Sequence, residues 1–117
     1  MALLSMTDAE ILPAAVPMLK DIFAGTNSKD WEQFSRHMSE SKASNSVIRA
    51  DVEKQWEECE WLTSLSKTPE FLGIIRRENG VMTLWRQTSS KSDEEYLQKL
   101  VLVGSDSEIK QSGIWLE

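Results

Sequence analysis

Near residue 66 the chain changes its period. Before that point apolar residues recur at helical spacing, and after it they alternate as they do along a strand. A chain divided this way folds as α+β, with N-terminal helices packed on a four-stranded antiparallel meander, because a half-apolar sheet has to bury one face against the helices. The anchor of the strand half is residues 71–90, FLGIIRRENGVMTLWRQTSS, two β-forming runs hinged on Asn79-Gly80. That pair is preferred in a two-residue type I′ turn, whose central positions both need positive φ. Such a turn sets Arg77 opposite Met82, Ile75 opposite Leu84 and Gly73 opposite Arg86 on one face. Leu72, Ile74 and Arg76 then share the other face with Gln87, Trp85 and Thr83. A three-residue loop that takes in Glu78, with a bulge at Gly80, shifts the partners by one. In either register both faces carry large apolar groups, so both need covering.

Residues 97–103 read as the next strand, closed by the turn residues Gly104-Ser105-Asp106-Ser107 before a last strand from Glu108 to Leu116. Ser92-Asp93-Glu94-Glu95 is also a helix-start pattern that Tyr96, Leu97, Leu100 and Val101 could continue, but the β-branched run and the turn spacing favour strand. In the first half, Thr7-Asp8-Ala9-Glu10 is a capping-box pattern, and Leu12, Val16, Leu19 and Phe23 follow on one helical face, with Gly25 as the stop. Pro13 and Pro17 each lack an N–H, so this helix is expected to kink or to begin only at Pro13. A second helix is expected after Asn27 or Ser28, with Trp31, Phe34 and Met38 as its stripe and 39–46 as a polar connection. A third carries Val52, Trp56 and Cys59 at i, i+4 and i+7.

With 117 residues and 40% hydrophobic content, residues 1–117 suit a single domain. A net charge of −6 repels phosphate backbones and anionic lipid, so neither nucleic acid nor membrane is an expected partner. The opening MALLSM lacks a basic start and a long apolar core, and the expected location is cytoplasmic. One cysteine, Cys59, and one histidine, His37, supply neither an internal disulfide nor a Cys/His zinc cluster, and no motif implies a cofactor.

Helices gathered first, then four meandering strands, with segments such as GTNSKDWEQFSRHMSE and EFLGIIRRENGVMTLWRQ, resemble the cystatin-like architecture, in particular the nuclear transport factor two-like superfamily that includes ketosteroid isomerase-like and polyketide cyclase-like proteins. The resemblance implies a curved sheet wrapping a long helix, a conical cavity on the concave side, and a homodimer formed through the sheet's other face. Isomerase-like members use an acid/base carboxylate with tyrosine or acidic donors. This chain has one tyrosine, Tyr96, and no aspartate over residues 71–85. The resemblance therefore transfers the cavity and the dimer face and no catalytic residue.

Five tryptophans, Trp31, Trp56, Trp61, Trp85 and Trp115, are the compositional oddity. With Phe34, the four other than Trp61 could line a box for a hydrophobic molecule, or they could fill the core; Trp61 suits the surface. His37 is the best single acid/base candidate, with Tyr96 as a donor, although flanked by Arg36, Ser39 and Glu40 it also reads as a residue at a helix boundary. Cys59 reads as a buried small hydrophobe. Arg76, Arg77 and Arg86 could take a carboxylate or phosphate, or pair across strands with Glu70 or Glu78. Three functions follow: a non-catalytic domain holding a small apolar ligand or peptide, an isomerase-, dehydratase- or cyclase-type enzyme, and an interaction module with a solid interior. What lines the concavity discriminates among them.

Overall fold

The computed structural model describes residues 2–105 and 108–117, and the expected turn positions Asp106 and Ser107 lie outside the described residues. The fold is α+β. Helices α1 (Asp8–Ser28), α2 (Trp31–Phe34), α3 (Glu40–Ala43) and α4 (Ser46–Glu58) precede strands β1 (Glu70–Arg77), β2 (Gly80–Thr88), β3 (Glu95–Ser105) and β4 (Glu108–Leu116). The strands form one antiparallel sheet in the order β1-β2-β3-β4. Short 3-10 turns cover Leu3–Ser5 and Glu60–Thr63.

The capping box starts α1: the Thr7 hydroxyl accepts from the Glu10 N–H and the Glu10 carboxylate accepts from the Thr7 N–H at 2.9 Å. The helix runs through both prolines, neither beginning at Pro13 nor stopping there. Both rings are exposed, so the carbonyls one turn earlier, deprived of their helical donors, can turn to water. The buried stripe is Ile11, Ala15, Met18, Leu19, Ile22 and Phe23, so its centre lies one position before the expected Leu12 and Val16, which flank it. Gly25 does not end the helix. An added Cβ there would stand 2.5 Å from the Phe34 nitrogen, so glycine is what lets α2 cross α1 this closely. The stop falls at Lys29, which takes the left-handed conformation with φ 57°.

The expected second helix is only one turn long. Asp30 caps it, residues 35–37 form a turn, and Met38 bridges to Gln111 of β4. The polar connection contains α3, and Asn45 caps α4 through the Val47 and Ile48 N–H groups. Residues 95–100 are strand, as the β-branched run requires.

The hairpin register differs from both sequence alternatives. The loop is Glu78-Asn79, with Arg77 opposite Gly80, Ile75 opposite Met82 and Gly73 opposite Leu84. Asn79 keeps a negative φ, so no type I′ turn forms, and of that pair Gly80 takes the positive φ, 151°. A Cβ on Gly80 would meet the Leu102 carbonyl of β3 at 2.5 Å. Sliding by two residues preserves the faces, because side chains alternate with period two. A bulge at Leu72 is the exception: Phe71 meets Trp85 edge-on at 5.2 Å on the core side, and Leu72 is moved to the outer face.

Val81, Thr83, Trp85, Leu100 and Leu102 face α1 and complete the core. The Trp85 indole donates to the Thr83 hydroxyl at 2.9 Å, which donates to the Leu100 carbonyl at 3.0 Å, so the polar atoms buried here are satisfied. Arg76 ties the N-terminal segment down, donating to the Met6 carbonyl at 2.7 Å and to Asp8 at 2.8 Å. Arg86 lies across Glu70 at 3.3 Å, the cross-strand pairing expected of the basic cluster.

Candidate functional site

Trp56 is the one buried residue of α4. The rest of that helix stands clear of the sheet, and a hollow of about 610 Å³ opens beneath it. Small-molecule sites typically occupy ~300–1,000 Å³. One wall is the C-terminal half of α1 with Ile22, Phe23 and Thr26. The facing wall is Ile48, Val52 and Trp56 of α4, and the floor is Gln98, Gln111, Ile114 and Leu116 of β3 and β4.

The walls are held by aromatic packing and by side chains that bond to the backbone. Phe34 meets Trp56 edge-on at 5.4 Å and Trp31 at 5.6 Å, and the Trp31 indole donates to the Ala43 carbonyl at 3.2 Å. The Asn27 amide takes both polar groups of Leu65 at 3.1 Å, fixing the segment after α4 to α1. At the rim the Lys42 ammonium donates to the Ser112 carbonyl at 2.6 Å. That carbonyl belongs to a bulge, since Val101 pairs with Gly113 and Leu102 with Gln111.

Two floor residues are polar and deeply buried: Gln98 and Gln111 are each 2% exposed. Gln98 Nε2 donates to the Trp115 carbonyl at 3.1 Å, which leaves its Oε1 as an acceptor without a partner among the described residues. Gln111 Nε2 is likewise unpartnered there. Neither glutamine stands out in the sequence by type. The available signal is parity: Gln98 falls on the same strand face as Leu100 and Leu102.

Of the sequence candidates, Phe34 and Trp56 line the hollow through their packed rings. Trp31 and Trp85 are buried in the surrounding core and are not among its lining. Trp115 borders the hollow from β4, but strand alternation turns its side chain outward, 54% exposed, and its indole lies over Gly113. Trp61, expected at the surface, is half-buried, borders the hollow and stacks on Tyr96 at 4.4 Å and 4°. The Tyr96 hydroxyl donates to Ser92 at 2.6 Å, away from the hollow. Cys59 ends α4 and borders the hollow, half-buried.

His37 stands in the turn after α2, its Nε2 2.6 Å from Asp21 Oδ2 on α1. Asp21 also accepts from Arg36 at 3.1 Å and Gln33 at 3.4 Å. Partial burial pushes its carboxyl up, but the hydrogen bonds from His37 and Gln33 and the charges of Arg36 and His37 outweigh that and hold it below its ordinary value. The His37 carbonyl meanwhile accepts from the Gln111 N–H at 2.7 Å. The residue thus fastens α1 to the turn and the turn to β4. His37 and Tyr96 do not converge on a common point in the hollow.

Among the described residues no group of three or more His, Cys, Asp or Glu side chains is arranged to hold a metal ion, and no helix is long and apolar enough to cross a membrane. No protein-family model, curated protein or solved structure matches this chain.

Proposed function

We propose that this chain is a non-catalytic binding domain that holds a small, mostly apolar molecule in the hollow between α1, α4 and the β3–β4 floor. The observation that carries the reading is a hollow of about 610 Å³ with Phe23, Phe34, Val52, Trp56 and Ile114 in its walls and neither His37 nor Tyr96 among its lining. Acid/base catalysis is favoured by titratable groups that converge on one reacting atom, and Lys42 and Asp51 at the hollow's border are bonded instead to Ser112 and Gln55. A pure interaction module would need a solid interior. Helices first, a four-stranded meander and a hollow between the layers support kinship with the cystatin-like, nuclear transport factor two-like proteins.

The reading includes a homodimer formed through the outer sheet face. Leu72, Ile75 and Trp115 are 47%, 40% and 54% exposed there, alongside half-buried Met82, Leu84 and Val101. An exposed apolar patch of this kind, interrupted by Lys99 between Leu84 and Trp115, supports an interaction surface. The net charge of −6 disfavours nucleic acid and anionic membranes as its partners.

Titration with the neutral dye Nile red tests the hollow. Wild-type protein should shift the dye's emission to the blue, and Val52→Trp, which fills the space, should abolish the shift while far-UV circular dichroism stays unchanged. Undiminished dye binding by Val52→Trp would refute the site. Sedimentation at tens of micromolar should give a dimer, and a monomer would refute the partner.

A further inference from the structure

Building on the binding-domain reading, we infer that the ligand is a neutral, elongated molecule with an O–H or N–H donor at one end, which Gln98 Oε1 accepts, and a second polar group at the other end for Gln111. The inference starts from an imbalance. A buried polar atom without a partner costs free energy comparable to a lost hydrogen bond or more, so a fold keeps such atoms only where something satisfies them. Here two amides, each 2% exposed, carry unpartnered atoms closed to water, and both residues line one mostly apolar hollow, so a bound molecule reaches those atoms with a small shift of the side chains around them.

The Gln98 amide is not free to turn. Its Nε2 is committed to the Trp115 carbonyl at 3.1 Å, so the atom left over is the oxygen, and only a donor answers it. The main chain of Gln111 is pinned by the bond from its N–H to the His37 carbonyl at 2.7 Å, while its amide stays available. Register fixes the spacing. Gln98 stands opposite Leu116 and Gln111 opposite Leu102, with Leu100 and Ile114 paired between them. Four strand positions span about 13 Å, so the floor is a strip polar at both ends and apolar in the middle. A compact molecule with one polar group cannot serve both amides.

A charge on the floor is disfavoured by where the ions sit. Asp51 and Lys42 both border the hollow, but Asp51 is exposed and accepts from Gln55, and Lys42 is bonded to the Ser112 carbonyl, so neither stands on the floor between the two glutamines. An ionised group on the floor would be buried without a counter-ion, which is costly. An extended peptide fits less well than a small molecule, since a peptide strand docks on a sheet edge and the middle of the β4 edge is engaged by residues 37 and 38.

The test uses three rigid probes of one skeleton: biphenyl, 4-hydroxybiphenyl and 4,4′-dihydroxybiphenyl, with affinities from calorimetry. The expected order is dihydroxy above monohydroxy above biphenyl, with roughly a three- to tenfold gain per hydroxyl. Gln98→Leu and Gln111→Leu should each remove one step of that gain while keeping the affinity for biphenyl. In the wild type, the side-chain amide NMR signals of Gln98 and Gln111 should move with the dihydroxy probe and not with biphenyl; this readout decides if a variant does not fold. Equal affinity for all three probes, or a hydroxyl gain that survives both substitutions, would overturn the inference and leave the hollow as a purely apolar site. Failure of every probe to bind would overturn the binding-domain reading as well. Tighter binding of an N-acetylated, C-amidated apolar hexapeptide than of any biphenyl would overturn it in favour of a protein partner.

Discussion

Gly25→Ala puts two well-measured effects in opposition. In a helix interior alanine is favoured over glycine by about 1 kcal/mol, so local propensity alone predicts a stabler protein. The packing predicts the reverse. The new methyl would stand 2.5 Å from the Phe34 nitrogen, 2.8 Å from its Cα and 2.9 Å from the Asp30 carbonyl oxygen, all backbone atoms that no rotamer change can move aside. Reaching an ordinary contact of about 3.4 Å requires α2 to retreat by roughly 0.9 Å, taking Phe34 away from Trp56. Overpacking of this kind costs up to ~3 kcal/mol, and the rigid obstacle argues for that end of the range. The net expectation is a loss of about 2 kcal/mol. At ~2.1 cal/mol/K per residue the unfolding entropy of the chain is about 0.25 kcal/mol/K, so Tm should fall by roughly 8 °C. Thermal unfolding followed by circular dichroism reads this directly. An unchanged or higher Tm would refute the close crossing of α1 and α2 and with it this wall of the hollow.

Thr7→Ala breaks the capping box and should lower stability by about 1 kcal/mol in urea titrations, with the m-value unchanged. Trp56→Ala should cost about 3 kcal/mol, the lower end for such a truncation because the hollow beside it already interrupts the packing, and should weaken Nile red binding. Asp21 has a lowered carboxyl pKa in the folded state, so its contribution is fully present above its ordinary value of 3.8 and is lost as pH falls through the folded value. Asp21→Asn should therefore trail the wild type by about 1 kcal/mol at pH 5, and the gap in urea midpoint should close toward pH 2. Ile75→Glu places a charge on the outer face and should convert the dimer to monomer in sedimentation without lowering the monomer's helix content.

Local chemistry was legible in the sequence, and cross-chain geometry was not. The Thr7–Glu10 cap, the strand character of residues 95–100 and the last strand were readable because neighbouring residues decide them. Gly25 was misread because a glycine kept for close approach looks the same in a sequence as one kept for a left-handed stop, and the stop fell on Lys29. Asn79-Gly80 suggested the right hairpin and the wrong loop. Burial of Val81, Thr83 and Trp85 fixes which face points inward, and sliding by two residues leaves that unchanged. The bulges at Leu72 and Ser112 each stand beside a glycine, Gly73 and Gly113, but that mark does not say how the partner strand shifts, which depends on two strands at once. For the site, helical stripes found Phe34 and Trp56. The floor was missed because glutamines in a strand read as solvent-facing, and unbroken alternation from Ile114 and Leu116 would turn Gln111 outward, where the bulge at Ser112 turns it inward.

The sheet's edges bear on how two copies could meet. On β4 the Gln111 N–H is taken by the His37 carbonyl and the Ser112 carbonyl by Lys42, so a strand added there would displace both. On β1 the bulge at Leu72 and exposed Glu70 and Arg77 at the two ends blunt the edge in the manner of strands protected against pairing. The outer face has no such obstruction. Two of its cations are matched within the chain: Arg86 lies 3.3 Å from Glu70 and 4.0 Å from Glu95, and Lys99 pairs with Glu117. Two faces brought together would therefore meet at their centres as apolar surfaces beside neutralised pairs, with Arg77 and Lys110 at the strand ends. Stacking of sheets across Ile75, Leu84 and Trp115, and not strand addition, is the association this surface favours.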